Sequence, residues 1–204
     1  MCHVPEQSAH PDARNISSNL VPGASDLQEL KSSDSMSLEI LQAASAVHIE
    51  SARELFNQYA ASLNFNLCFQ SFEHELASLP GNYAPPAGRL FLAFWKGEAI
   101  GCGALRKFVV SKNAADQAAE DADNICEMKR LYVKPEGRGH RIGLALAERL
   151  ISEARACGYL RMRLDTVPAT MAVAVKMYRA FGFQEIAPYG FNPTPGAIFM
   201  ELKL

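Results

Sequence analysis

Hydrophobic positions along the chain follow two periods, and their alternation predicts the order of the elements. Short runs rich in aliphatic and aromatic residues, such as RLFLAFW at residues 89–95, have the composition of strands. Other segments place apolar residues three or four positions apart, as RIGLALAERLISEARAC at residues 141–157 does, and these predict helices. The patterns predict the order β α α β β β α β α β β between residues 36 and 204.

The element order indicates the fold class. Lys96-Gly97-Glu98 is a hairpin signal, so the strands on either side of it are expected to pair antiparallel. Strand 125–133, the long helix and strand 160–167 follow one another, which implies one parallel strand pair. We therefore predict an α/β (α+β) domain with a mixed, mostly antiparallel sheet, a central parallel pair and flanking helices.

Two polar segments fall outside this pattern. Residues 1–35 are rich in Ser, Asp, Asn and Pro without a sustained apolar period, and we expect a flexible tail before a single domain of residues 36–204. Residues 111–124 carry four acids and one Lys and are expected to form a solvated loop.

Ser71 is expected to cap a short helix that ends before Pro80.

Charge and composition exclude several classes of protein. Lys and Arg total 20 against 22 for Asp and Glu, so no global field favours nucleic acid or an anionic membrane. No apolar run approaches the ~20 residues of a membrane span, and no secretory signal is visible, so a cytoplasmic protein is expected. The 5 cysteines contain no CxxC pair, which predicts reduced thiols and no metal site.

The segment RGHRIG follows a strand and begins the long helix. A helix start offers free N–H groups, and Gly139 and Gly143 leave their backbone accessible to a phosphate. Each N–H bond to an ionised phosphate contributes about 1.5–3 kcal/mol, so several convergent amides outweigh the helix dipole. Arg138, His140 and Arg141 add positive charge. The alternative is a glycine-containing turn that only connects strand and helix.

Neither of two common nucleotide motifs is present here. The segment is not GxxxxGK[ST], and it does not match GxGxxG followed by a ribose-binding acid. It resembles instead the acetyl-CoA motif Q/R-x-x-G-x-G/A of the GCN5-related N-acetyltransferase (GNAT) superfamily. Arg138 and Gly143 match, whereas Arg141 replaces the middle Gly. The resemblance extends through CEMKRLYVKPEGRGHRIG to MYRAFGF, from Ile125 to about Phe183.

The resemblance implies acetyl-CoA as co-substrate and a parallel strand pair that splays apart. It implies that Leu131, Tyr132 and Val133 offer backbone groups to the pantetheine arm. It also implies a pyrophosphate site at the helix start, with backbone amides from Gly139 to Leu144 holding the phosphates. The cofactor-binding residues there are Arg138, Gly139, His140, Arg141, Ile142, Gly143 and Leu144.

An amine with a pKa near that of Lys, ~10.4, must lose a proton before it attacks a thioester. The resemblance points to Glu127 as the general base, eleven residues before Arg138, where related histone acetyltransferases place a Glu. The alternative is a Glu127 that faces solvent or pairs with Lys129 or Arg130.

Tyr178 in MYRAFGF stands where the family keeps a Tyr that protonates the departing CoA sulfur, and a neutral phenol is able to donate. The alternative is a core residue at helical spacing with Ala174 and Phe181. Met171 stands where the family often has Asn.

The segment PYGFNPTPG at residues 188–196 links the last two strands. Loops at this position in the family often form a wall of the acceptor pocket, so Tyr189, Phe191 and Asn192 are candidate substrate-binding residues. The alternative is a rigid proline-rich connection without contact to substrate.

The leading hypothesis is an N-acetyltransferase that moves acetyl from acetyl-CoA to a primary amine, of a small molecule, by direct attack. Alternatives are an enzyme for peptide or protein amines and a non-catalytic acyl-CoA-binding module. A nucleic-acid binder ranks last, because Lys129, Arg130 and Lys134 lie without interleaved stacking aromatics beyond Tyr132. The sequence leaves the oligomeric state open, a homodimer included.

Overall fold

The computed structural model describes residues 38–63, 71–109 and 124–204. The helices and strands follow one another along the chain in the predicted order. They are β1 (Glu39–Gln42), α1 (Ala46–Ser62), α2 (Phe72–Ser78), β2 (Arg89–Trp95), β3 (Glu98–Lys107), β4 (Ile125–Val133), α3 (Ile142–Ala156), β5 (Arg161–Thr166), α4 (Pro168–Ala180), β6 (Gln184–Ile186) and β7 (Ile198–Lys203). The predicted tail and residues 111–123 of the predicted acidic loop lie outside the described residues.

The seven strands form one sheet in the order β1-β2-β3-β4-β5-β7-β6. All neighbours pair antiparallel except β4 and β5, which are joined by the crossover helix α3 and run parallel. The β2–β3 hairpin turns through Lys96 and Gly97, both with positive φ, which is the backbone conformation that tight two-residue hairpins need. The mixed sheet with one parallel pair confirms the predicted fold class.

Helices cover both faces of the sheet, and strand β2 shows how the sequence specifies this. Phe91 and Ala93 pack in the core that includes Leu146 and Leu150 of α3. Leu90 and Leu92, along with Leu55 and Phe56 of α1, belong to a second core. Because side chains of a strand alternate between its faces, the continuous apolar run of β2 is that of a strand buried on both sides.

Strands β4 and β5 separate soon after they begin to pair. Their register contains only Ile125↔Arg161, Cys126↔Met162 and Glu127↔Arg163. Beyond Glu127, β4 pairs only with β3, with a bulge between Cys102 and Ala104 of β3 and with Arg130 at φ 57° in β4. The parallel pair therefore opens into a gap toward the carboxyl ends of both strands.

One predicted local detail is wrong. Ser71 adopts a left-handed conformation with φ 55°, and its side chain makes no capping hydrogen bond to α2. Helix α2 is short and has no buried residue, so its position depends on contacts that a local motif does not encode.

Candidate active site

A cleft with a volume of about 1220 Å³ occupies the gap between β4 and β5. Its walls come from residues 128–133 of β4, residues 164–167 around the end of β5, the start of α3, helix α4 and Tyr59 of α1. The divergence of the strands creates this space because no neighbouring strand fills it. Ligands of open sheets that contain parallel strands commonly bind at such a point, outside the carboxyl ends of the strands.

The first turn of α3 forms one end of the cleft. The residue before the helix, Arg141, is left-handed at φ 59° and provides no side-chain cap. Ile142, Gly143 and Leu144 line the cleft, and the first amides of a helix have no partner within it. Such amides, with the positive end of the helix dipole, favour an anion.

Two glycines keep the approach to these amides open. Gly139 has φ 85°, and a Cβ placed on it would meet no atom within 4 Å. A Cβ on Gly143 would meet only Val133 Cγ2, at 3.6 Å, so the space beside it is not filled by protein. Gly137 is different, because a Cβ placed on it would lie 2.6 Å from Ile100 Cγ1. The close packing at this position therefore requires glycine. The residues that bear the predicted phosphate contacts therefore face space that a ligand can occupy.

The remaining residues of the predicted coenzyme site divide into two groups. Leu131, Tyr132, Val133, Arg138 and Arg141 line the same cleft as the first turn of α3. Arg138 Nε donates to the carbonyl oxygen of Val133 at 3.3 Å, which links the turn to the strand. The other group is His140 alone, whose ring contacts Trp95 with centroids 4.2 Å apart and does not line the cleft.

Tyr178 lies on α4 and lines the cleft. Burial raises its pKa, as do the nearby Tyr59 and Asp165, so the phenol keeps its proton at neutral pH. Its ring also packs against Phe183, with centroids 5.6 Å apart. The α4 backbone is interrupted at Met171, whose φ of −123° and ψ of 33° are not helical, and Met171 itself lines the cleft.

Glu127 lies at the last paired position of β4 and is buried, with 5% of its surface exposed. Its carboxylate accepts two hydrogen bonds from Arg106, at 2.9 and 2.7 Å. Lys129 Nζ lies 3.6 Å from its other oxygen, and the Tyr189 hydroxyl donates to that oxygen at 3.4 Å. Glu127 therefore does not face solvent, and its principal partner is Arg106, with Lys129 nearby, whereas Arg130 pairs with Glu75. Its role as general base stays a prediction.

The sequence of this chain matches the Acetyltransferase (GNAT) family over residues 49–183. The chain belongs to this family. It is 34% identical over 157 residues to an uncharacterized N-acetyltransferase of Schizosaccharomyces pombe, covering 76% of this chain and 88% of the relative. It is also 34% identical over 122 residues to the IAA acetyltransferase of Azospirillum brasilense, covering 59% of this chain and 71% of that one.

Solved structures show the same fold. The PaiA N-acetyltransferase of Thermoplasma acidophilum, in complex with coenzyme A, superposes with a TM-score of 0.58 at 22% identity. The alignment covers 83% of this chain and 100% of the other. As a member of the GNAT family, the protein is an acyltransferase. Acetyl-CoA fits as its co-substrate, because the residues at the uncapped start of α3 line the open cleft.

A second, smaller cavity of about 170 Å³ adjoins the cleft of this GNAT enzyme. Tyr189 and Phe191, from the connection between β6 and β7, line this cavity, as does Glu127. Asn192 lines the cleft instead and donates from Nδ2 to Asp165 Oδ2 at 2.7 Å. The three candidate substrate residues therefore lie beside two neighbouring spaces rather than one.

Asp165 is a site residue that the sequence analysis missed. It lies near the end of β5, beyond the last residue that pairs with β4, and it lines both the cleft and the small cavity. Lys129 Nζ donates to its carboxylate at 3.1 Å. Although burial alone raises it, the pKa of Asp165 lies below its ordinary value because Lys129 and Asn192 stabilise the carboxylate. The signal available in the sequence was an acidic residue near the end of a predicted strand, which indicates a candidate site residue.

Within residues 38–63, 71–109 and 124–204, no helix is long and apolar enough to cross a membrane. The same residues contain no group of three or more His, Cys, Asp or Glu placed to hold a metal ion.

Arg130 is buried at the edge of the cleft and is fixed by an ion pair with the partly buried Glu75 of α2. Its Nε and Nη2 donate to the two carboxylate oxygens of Glu75, at 2.8 and 2.5 Å. Although burial raises it, the pKa of Glu75 lies below its ordinary value because of the bonds and charge of Arg130 and the hydroxyl of Tyr83. This stabilisation is present above the ordinary carboxyl pKa and is lost as pH falls through the folded-state value.

Glu75→Gln is expected to lower the free energy of unfolding by about 3–5 kcal/mol, because it leaves the Arg130 charge buried without its partner. Denaturant unfolding near neutral pH measures this. The control is Glu50→Gln, which removes a more exposed ion pair with Arg53 and should cost less than ~1 kcal/mol. Equal losses in the two variants would show that burial of the Glu75–Arg130 pair has no energetic consequence.

Proposed function

We propose that this enzyme transfers the acetyl group of acetyl-CoA to the primary amine of a small molecule by direct attack. The observation that carries the proposal is that Ile142, Gly143 and Leu144, at the uncapped start of α3, line the same cleft as Tyr178. Bound there, acetyl-CoA supplies an activated thioester. Backbone amides between Gly139 and Leu144 would hold the diphosphate, and backbone groups of residues 131–133 of β4 would hold the pantetheine arm.

The chain's own residues supply the proton transfers of the proposed reaction. The acceptor nitrogen forms a bond to the acetyl carbon while the carbon–sulfur bond breaks. Glu127 takes the proton that the bound ammonium must lose before its nitrogen attacks, and the Tyr178 hydroxyl gives a proton to the departing thiolate. The second proton, which the nitrogen loses as the amide forms, replaces the one that Tyr178 gave. Burial raises the pKa of Tyr178, so the phenol still carries its proton when the thiolate forms. The support for the role of donor is that Tyr178 lines the cleft, because the raised pKa alone makes the phenol a weaker acid.

The size of the acceptor follows from the space beside the cleft. The small cavity holds about 170 Å³ and shares lining residues with the cleft, so a compact amine placed in it has its nitrogen next to the coenzyme site. Tyr189 and Phe191 wall the acceptor on this side, and Asn192 holds Asp165 in place. These features support a small molecule over a peptide or protein amine as the acceptor.

The experiment that tests the proposal is a screen of amines with acetyl-CoA, in which released CoA thiol is measured and products are identified by mass. Thiol release that requires a small primary amine supports it. CoA binding without transfer to any amine would favour a non-catalytic acyl-CoA-binding module. Transfer only to peptides would favour the other alternative.

Glu127→Gln is expected to lower kcat about a hundredfold, because general base catalysis typically contributes 10²–10⁴-fold. The variant keeps the size of the side chain and leaves the α3 amides untouched, so the dissociation constant of CoA should not change. Steady-state kinetics and calorimetry measure the two quantities.

The matched control for Glu127 is Glu185→Gln, whose carboxylate is 58% exposed and 4.0 Å from Arg179. Its kcat should equal that of the unchanged enzyme. If Glu127→Gln also turned over at the full rate, Glu127 would be a counter-ion of Arg106 and not the base.

A further inference from the structure

The small cavity beside the cleft is lined by charges of both signs. The described residues that line it include three acids and three bases. The acids are Glu75, Glu127 and Asp165, and the bases are Arg106, Lys129 and Arg130. Charged side chains this close to a buried space are costly unless they are paired. The pairs that these side chains form with one another therefore decide which ligand charges the cavity can accept.

Each base is already paired with an acid of the protein. Arg106 pairs with Glu127 at 2.7 Å and Lys129 with Asp165 at 3.1 Å. The Arg130–Glu75 pair completes the set, so these six side chains sum to no net charge. A ligand with a net charge would enter without compensation, whereas a ligand that carries one positive and one negative group can add to the paired pattern at both ends.

The positions of the charges give the ligand a direction. Asp165, Lys129 and Arg130 line both the small cavity and the coenzyme cleft. Arg106 lines the small cavity only, and it is the least buried base there, with 29% of its side chain exposed against 8% for Lys129 and 2% for Arg130. An anionic group of the ligand can therefore bind the accessible Arg106 guanidinium, on the side of the small cavity away from the coenzyme cleft. A cationic amine can bind the Asp165 carboxylate, on the side next to the coenzyme cleft.

We propose that the acceptor is a small amine that also carries a carboxylate, bound with its ammonium at Asp165 and its carboxylate at Arg106. This inference rests on the proposed function and specifies the class of its acceptor. A cavity of about 170 Å³ is small beside the ~300–1,000 Å³ of sites for drug-sized ligands, which limits the acceptor to the size of an amino acid. A diamine would instead place its second ammonium against Arg106.

The experiment compares acceptors that share one amine and one chain length. β-Alanine, propylamine and 1,3-diaminopropane have an anionic, a neutral and a cationic far end, and a set of α-amino acids is tested beside the corresponding amides. We expect kcat/KM for the carboxylate-bearing amines to exceed that of their neutral counterparts by about tenfold to a hundredfold, as charge-assisted hydrogen bonds allow.

Variants at Arg106 locate the origin of the preference. Arg106→Gln should bring the ratio of kcat/KM between carboxylate-bearing and neutral acceptors close to one, whereas Arg106→Lys should retain most of it. Arg179→Gln, at a side chain that is 62% exposed on α4, is the control and should leave the ratio unchanged. The ratio is the readout, because a merely structural role of Arg106 would lower both rates together.

Three results would overturn the inference. Equal or faster acetylation of propylamine or diaminopropane would show that the carboxylate is not recognised. A preference that survives Arg106→Gln would place its recognition elsewhere. If the enzyme acetylated other amines but no carboxylate-bearing amine, the proposed class of acceptor would be wrong and the proposed acetyl transfer would stand. If calorimetry showed no binding of CoA, the proposed function itself would be wrong.

Discussion

Replacing Gly143 by leucine is expected to raise the dissociation constant of CoA by about a hundredfold, which corresponds to the loss of one or two charge-assisted hydrogen bonds. The protein itself has room for the substitution, because a Cβ at this position meets only Val133 Cγ2, at 3.6 Å. The added side chain extends into the cleft and excludes a diphosphate from the free amides of the first turn of α3.

The fold should tolerate this change. Leucine has a higher helix propensity than glycine by roughly 0.8–1 kcal/mol, so the melting temperature should not fall. Gly143→Ala, with a single added carbon, is expected to weaken CoA binding less than the leucine variant does. Glu148→Leu, at an exposed position of the same helix, is the control and should bind CoA normally.

Isothermal titration calorimetry with CoA measures these constants directly. An unaltered constant in Gly143→Leu, with the protein folded, would mean that the diphosphate binds somewhere other than the start of α3.

Removing the hydroxyl of Tyr178 is expected to lower kcat by about 10²–10³-fold, within the range that proton transfer from a positioned side chain contributes. Tyr178→Phe keeps the ring that packs against Phe183, so CoA affinity and fold should be retained. The departing sulfur would then leave as an unprotonated thiolate near the partly buried carboxylate of Asp165, which coulombic repulsion disfavours.

Tyr159→Phe is the matched control for Tyr178→Phe. The Tyr159 hydroxyl donates to the carbonyl oxygen of Ala87 at 2.7 Å and does not line the cleft. This variant is expected to lose some stability and to keep its kcat. Thiol release under saturating acetyl-CoA and amine measures both rates, and a Tyr178→Phe enzyme with normal kcat would assign Tyr178 to the core alone.

The element order was predictable because each element carries a strong local pattern. The continuous apolar run of β2 predicts a strand buried on both faces, and the four-residue spacing of Ile142, Leu146 and Leu150 predicts one buried face of α3. The parallel pair β4–β5 follows from the crossover helix between them. The start of α3 was likewise predictable as a possible anion site, since Gly139 and Gly143 stand in a short local segment.

The partners of the charged residues were not predictable in this way. Glu127 pairs with Arg106, which is 21 positions away, and Arg130 pairs with Glu75, which is 55 positions away. Such contacts depend on the register of β3 against β4 and on where α2 lies, and no local pattern specifies either. Asp165 was missed for the same reason, because its role depends on how far β5 extends beyond its pairing with β4.

The most direct test of the account is a crystal structure of the enzyme with bound CoA. It should show the diphosphate oxygens within hydrogen-bond distance of backbone amides between Gly139 and Leu144, and the sulfur in the gap between β4 and β5 near the Tyr178 hydroxyl. A coenzyme whose diphosphate contacts none of these amides, or whose sulfur lies outside that gap, would contradict it.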